Sequence, residues 1–100
     1  MKILSKRVNQ SMRNLFRTKT FLKEYKKIRF TDKLYTKYVL YVSTLLQEKR
    51  LPKEALDHSL KGDYSGYREF HISGDLLVVY MVEEDTLKLI RIGSHSEIFR

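Results

Sequence analysis

A chain of 100 residues, 42% of them hydrophobic and 12 aromatic, is long enough to bury roughly two-thirds of its unfolded surface and too short to divide into two domains. It has no cysteine, so a disulfide framework and thiolate metal sites are excluded, and its longest apolar stretch, Leu76 to Val82, is far too short to span a bilayer. The net charge of +8 is polarised: residues 1–50 carry 14 Lys or Arg against Glu24, Asp32 and Glu48 (+11), and residues 51–100 carry six against nine acids (−3).

Residues 1–12 are basic, have little apolar periodicity and end in a second methionine. They are expected to form a flexible N-terminal extension, with residues 13–100 as the single folded domain. Without the apolar core of a signal peptide, the expected location is the cytoplasm. A short strand is expected over Asn14–Arg17. From Thr18 to Arg29, Phe21, Tyr25 and Ile28 recur at the spacing of a basic amphipathic helix. Thr31 and Asp32 supply cap chemistry for a second helix running to about Glu48, with Leu34, Tyr38, Tyr41 and Leu45 in one stripe widened by Val39, Val42 and Leu46.

Leu51-Pro52 ends that helix; one short turn over Pro52–Leu56 and a polar loop from Asp57 to Gly66 follow. The period then changes to that of strands: Tyr67–Ile72, Asp75–Val82 and Thr86–Ile92 form a meander. If Ser73-Gly74 and Glu84-Asp85 are the two-residue loops, His71 lies opposite Leu76 and Val78 opposite Arg91. One face then carries His71, Arg91, Tyr67, Glu69, Leu76, Tyr80 and Leu89. Phe70, Leu77, Val79, Met81, Ile90 and Ile92 are left for the helices. His71 and Arg91 would sit two strands apart, about 10 Å laterally.

All three histidines, His58, His71 and His95, fall in the C-terminal half, close in sequence to Asp75 and Arg91. Imidazoles beside a carboxylate and a guanidinium suit proton transfer at a phosphodiester, and a basic half suits a polyanion or an acidic protein. Histidines scattered over three elements lack metal-ligand spacing, and no phosphate-binding glycine loop is present, so no metal or cofactor is expected.

The runs Leu56-Asp57-His58-Ser59-Leu60-Lys61-Gly62, Gly66-Tyr67-Arg68-Glu69-Phe70-His71-Ile72, Asp75-Leu76-Leu77-Val78-Val79-Tyr80 and Arg91-Ile92-Gly93-Ser94-His95-Ser96-Glu97-Ile98-Phe99 closely resemble the YafQ branch of the RelE-like bacterial toxins. The resemblance implies an α+β fold with two N-terminal helices packed on one face of a small, twisted, mainly antiparallel sheet. It implies a type II toxin that cleaves messenger RNA in the ribosomal A site and is neutralised by a cognate antitoxin in a hetero-oligomer. The functional positions it implies are His58, His71, Asp75, Arg91 and His95 for catalysis, with Phe99 at the substrate. Lys61, Arg68 and Leu76 join Phe99 there as expected substrate contacts, Leu76 standing where the best-known member has tryptophan.

Metal-free RNA cleavage needs a base for the 2′-hydroxyl, a cation for the phosphorane and an acid for the leaving 5′-oxygen. Arg91 is expected to clamp phosphate, since guanidinium is bidentate and always charged. His95 is expected as the acid, and His71 with Asp75, or His58, as the base. The structural alternatives are that Asp75 is a turn residue, that Arg91 pairs with Glu69 across the sheet, and that Phe99 plugs the core. The functional alternative is a non-catalytic binding module on the same scaffold: a degenerate toxin, a gyrase-directed relative or a basic RNA-binding protein.

Overall fold

The computed structural model describes residues 12–100, so the expectation of a flexible extension lies, except for the exposed Met12, outside the described residues. The chain runs β1 (Asn14–Arg17), α1 (Lys19–Tyr25), α2 (Asp32–Leu46), a 3₁₀ turn (Lys53–Ala55), β2 (His58–Ser59), a second 3₁₀ turn (Gly62–Tyr64), β3 (Arg68–Ser73), β4 (Leu76–Glu83), β5 (Thr86–Gly93) and α3 (His95–Phe99). The five strands form one open sheet in the order β1-β5-β4-β3-β2. Every pairing is antiparallel except β1 with β5. This is the expected α+β architecture, with α1 and α2 contributing to the buried core on one face of the sheet.

Both helices begin at threonine caps. Thr18 accepts the Phe21 N–H at 3.0 Å and donates its hydroxyl proton to the Ile90 carbonyl at 2.8 Å, which ties the start of α1 to β5. Thr31 accepts the Leu34 N–H at 3.2 Å. α1 is shorter than its periodicity predicts, because the chain after Tyr25 tightens into i−3 bonds at Lys27 and Ile28. There Tyr25, Phe30 and Tyr38 pack together, with ring centroids 5.4–5.6 Å apart. α2 ends at Leu46, two residues early, before the left-handed Glu48. Its buried stripe is Tyr38, Tyr41, Val42 and Leu45, whereas Val39 points to solvent.

Two findings alter the expected sheet. First, the polar loop contains strand β2, which pairs His58 with Glu69 and Ser59 with Arg68 on the outer edge of β3. Two residues are too few to show a period of two. Second, the meander holds two bulges. The β3–β4 turn is Gly74-Asp75, so Ser73 pairs with Leu76 but His71 pairs with Leu77, leaving Ile72 as the extra residue. In β5, Leu89 pairs with Tyr80 and Arg91 with Val79, leaving Ile90 extra. A one-residue slip exchanges the faces of a strand. Tyr80, Leu89 and Leu76 therefore join Phe70, Ile72, Val78, Leu87 and Ile92 on the helix side. Leu77, Val79 and Ile90 lie on the other face, in a small cluster with Ile98 that Leu60, Tyr64, Tyr67 and Phe99 partly cover.

Candidate active site

The β3 pleat sends Glu69 and His71 to the face opposite the helices, and β2 brings His58 alongside. The Glu69 Oε2 atom lies 3.1 Å from His58 Nε2 and 3.2 Å from His71 Nε2, and the two imidazole centroids are 6.3 Å apart. Glu69 is only 4% exposed, and its Oε1 has no hydrogen-bond partner. His58 Nδ1 donates to the Leu56 carbonyl at 2.7 Å. A carbonyl only accepts, so that nitrogen is the donor, and the exposed His58 ring is held between the Leu56 carbonyl and the buried Glu69 carboxylate. His71 Nδ1 makes no hydrogen bond among the described side chains and remains the free nitrogen of the set.

Pairings run in one row across the sheet: His58 beside Glu69, Glu69 beside Val79, Val79 beside Arg91. Arg91 therefore shares the face of His71, as the sequence predicts, about 10 Å from Glu69 by strand spacing. It does not pair with Glu69. Its Nε and Nη2 grip the Glu24 carboxylate of α1 at 2.7–3.0 Å, and Nη1 donates to the Tyr64 hydroxyl at 3.1 Å. Hydrogen bonds to Glu24, outweighing partial burial, raise the arginine pKa still further above its ordinary value. The cation is permanent.

His95 opens α3, whose start is fixed by a capping box: Ser94 Oγ accepts the Glu97 N–H, and Glu97 Oε1 accepts the Ser94 N–H at 2.9 Å. The bond from the Ser94 N–H holds the Glu97 carboxyl below its usual range. A Cβ on Gly93 would lie 3.0 Å from Glu97 Oε1, so the carboxylate that closes the capping box would have to give by a few tenths of an ångström. The exposed His95 ring lies 4.9 Å from Phe99, and Phe99 meets Tyr64 edge-on at 5.1 Å. Phe99 partly covers the cluster of Leu77, Val79 and Ile98, and through Tyr64 this end of the chain reaches Arg91.

Three expected site residues stand elsewhere. Asp75 is an exposed turn residue, and the carboxylate that touches His71 is Glu69. Leu76 packs with the helix-side core, because the bulge turns it away from His71. Arg68 is exposed but tied through Nε to Asp57 Oδ1 at 3.1 Å, the same atom that accepts the buried Tyr80 hydroxyl at 2.8 Å. Partial burial opposes the Arg68 charge, yet Tyr80 and Asp57 outweigh it and raise its pKa. Burial, reinforced by Asp57, raises that of Tyr80. Lys61 is exposed at the start of the second 3₁₀ turn. A cleft of about 460 Å³ beside this network is lined by Arg50, Lys53 and Arg68 among others. Sequence reasoning missed Glu69, Glu24 and Tyr64 as site residues. Only Glu69 left a signal, standing two residues before His71 on one strand face.

The open five-stranded sheet is thus covered by helices on one face and carries His58, His71, the buried Glu69 and Arg91 on the other. The family described as the bacterial toxin of type II toxin-antitoxin system, YafQ, matches residues 13–100, and the chain belongs to that family. The putative toxin YafQ of Haemophilus influenzae is 39% identical over 66 residues, 62% of this chain and 65% of that protein. The mRNA interferase toxin YafQ of Escherichia coli K12 is 36% identical over 61 residues, 59% of this chain and 66% of that one. The chain thus spans just under two thirds of the length of these relatives. Among solved structures, a copper-bound mutant toxin from Helicobacter pylori superposes with a TM-score of 0.77 at 38% identity, over 88% of this chain and all of that one. The toxin in the E. coli DinJ-YafQ toxin-antitoxin complex superposes with a TM-score of 0.76 at 26% identity, over 89% and 99% of the two chains. Among the described residues of the present chain, no group of three or more His, Cys, Asp or Glu side chains is arranged to hold a metal ion. No helix among them is long and apolar enough to cross a membrane.

Proposed function

We propose that this protein is an endoribonuclease that cleaves messenger RNA in the ribosomal A site by acid-base catalysis and is held inactive by a cognate antitoxin. The observation that carries the reading is the His58–Glu69–His71 cluster on one sheet face with Arg91. His71 is the base: its Nε2 proton is directed at Glu69, which orients the ring and leaves the Nδ1 lone pair to take the proton of the 2′-hydroxyl. His58, with both ring nitrogens engaged, positions the Glu69 carboxylate from the opposite side. The 2′-oxygen attacks phosphorus, the P–O5′ bond breaks, and a 2′,3′-cyclic phosphate remains. Arg91 stabilises the charge gathering on the phosphorane, and His95, exposed at the start of α3, protonates the departing 5′-oxygen.

Phe99 and Tyr64 offer aromatic surface beneath the bases, and Lys61 supplies charge along the backbone. The acid, base and cation all come from side chains, so cleavage on programmed ribosomes is expected to persist when transition metals alone are chelated at constant free Mg²⁺. The basic first half, +11 over residues 1–50, suits an antitoxin segment rich in acids, and the E. coli relative has been solved in complex with DinJ. The test is single-turnover cleavage of a message on programmed ribosomes, with 5′ ends mapped for wild type, His71→Ala, Arg91→Ala and His95→Ala. Frame-aligned cuts by wild type that each substitution reduces by at least tenfold support the assignment. Ribosome binding by wild type without any cut would establish the non-catalytic module instead, and full activity in His95→Ala would remove that residue as the acid.

A further inference from the structure

We infer that Glu24, on α1, is a positioning residue that sets which donors Arg91 presents to the substrate phosphate; this rests on the role proposed for Arg91 above. Glu24 is one of only three acids among residues 1–50, yet its carboxylate makes four hydrogen bonds to β5. Oε1 accepts from Arg91 Nε at 3.0 Å and from the Ile92 backbone N–H at 3.1 Å, and Oε2 accepts from Arg91 Nε at 2.9 Å and Nη2 at 2.7 Å. The bond to Ile92 N–H anchors the carboxylate to the strand that carries the arginine, so the pair is referenced to the sheet and not only to the helix.

A guanidinium has five N–H groups in a fixed plane. Glu24 takes the Nε proton and one on Nη2, and the Tyr64 hydroxyl takes one on Nη1 at 3.1 Å. One N–H on each terminal nitrogen is left. These two suffice for a bidentate grip on two phosphate oxygens, and their direction is set before substrate arrives. A group placed only to attract RNA would not be a carboxylate, since its charge opposes that of the arginine it touches. Orientation is what this contact supplies, and a preset donor costs no reorganisation when the phosphorane forms.

The two roles separate in kinetics. Glu24→Gln keeps the size but puts an amide N–H against the guanidinium. The single-turnover rate on saturating programmed ribosomes is expected to fall about 10- to 100-fold, as for other supporting partners of a functional group. The half-saturating concentration is expected to stay level or decrease, because a negative charge has been removed from a polyanion site. Glu24→Asp, which keeps the charge on a shorter stem, should fall between the two. In the free protein the Arg91 Nε–H resonance should be resolved and slow to exchange for wild type, and broadened in Glu24→Gln. A folded Glu24→Gln protein with a wild-type rate, while Arg91→Ala is inactive, overturns the inference, as does a rise in half-saturation at unchanged rate. If Glu24→Gln does not fold, a Glu24→Asp protein with a wild-type rate but an exchange-broadened Arg91 resonance overturns it equally. Absence of cutting by wild type counts against the proposed function instead, and the resonance still reports on the pairing.

Discussion

Replacing Glu69 with leucine should separate activity from stability. The Glu69 carboxylate is 4% exposed, accepts from two histidines through Oε2 at 3.1 and 3.2 Å, and leaves Oε1 without a partner. A hydrogen bond to a charged group contributes about 1.5–3 kcal/mol. The one from His71, whose side chain is 19% exposed, belongs in that range. The one from His58, 52% exposed, is screened to about 1 kcal/mol or less. Against them stands the unpartnered oxygen, which costs about 1–3 kcal/mol. The opposing contributions nearly cancel, and leucine fills a similar volume without an orphaned acceptor, but it leaves the half-buried His71 Nε2 proton without its acceptor, so stability should fall by no more than about 3 kcal/mol. For a domain of this size each kcal/mol lowers Tm by about 4–8 °C. Cleavage, deprived of the group that orients His71, should fall about 10²- to 10⁴-fold. Urea unfolding followed by circular dichroism gives the first quantity, and single-turnover cleavage on programmed ribosomes gives the second. A stability loss above about 3 kcal/mol with cleavage retained would show that Glu69 is a structural strut and refute the site as drawn.

Arg91→Lys keeps the charge but replaces a planar fork by one ammonium, which cannot serve Glu24, Tyr64 and a phosphate at once; the cleavage rate constant should fall about 10²-fold. Asp57→Ala removes the acceptor of the buried Tyr80 hydroxyl and should cost about 1–3 kcal/mol in urea unfolding, most of it recovered in Asp57→Ala/Tyr80→Phe; strict additivity would refute the coupling. Burial, with Tyr25 nearby, pushes the Tyr38 hydroxyl from its ordinary 10.0 up to about 12. The unfolded chain therefore ionises first, and the contribution present below pH 10.0 is lost as pH climbs to about 12, by about 2 kcal/mol at most. Denaturant midpoints across that window should fall less steeply for Tyr38→Phe than for wild type.

Most elements were legible because their signals are local. The threonine cap at Thr31, the 3.6-residue stripe of Tyr38, Tyr41 and Leu45, and β-branched runs broken by Gly74 and Asp85 each act within a few residues. The faces of the meander were not legible, because a bulge at Ile72 and another at Ile90 shift the pairing by one residue while leaving composition and alternation intact. Of the candidate site, His58, His71, Arg91, His95 and Phe99 were found by chemistry and resemblance. The partners that orient them were not, since Glu24 is 67 residues from Arg91 and Tyr64 sits in a loop without periodicity.

The sequence by itself determined the basic first half, the helix and strand types, and an imidazole and guanidinium set confined to the C-terminal half, because charge, period and residue chemistry are properties of short windows. Tertiary structure decided which carboxylates those groups meet. Strand β2 exists only by pairing with β3, and that pairing sets His58 against Glu69. The packing of α1 on β5 brings Glu24 to Arg91. Hydrogen bonds of about 3 Å fix the direction of a proton or a charge, and directions at that scale follow from register and packing between distant segments, which no local window of residues contains.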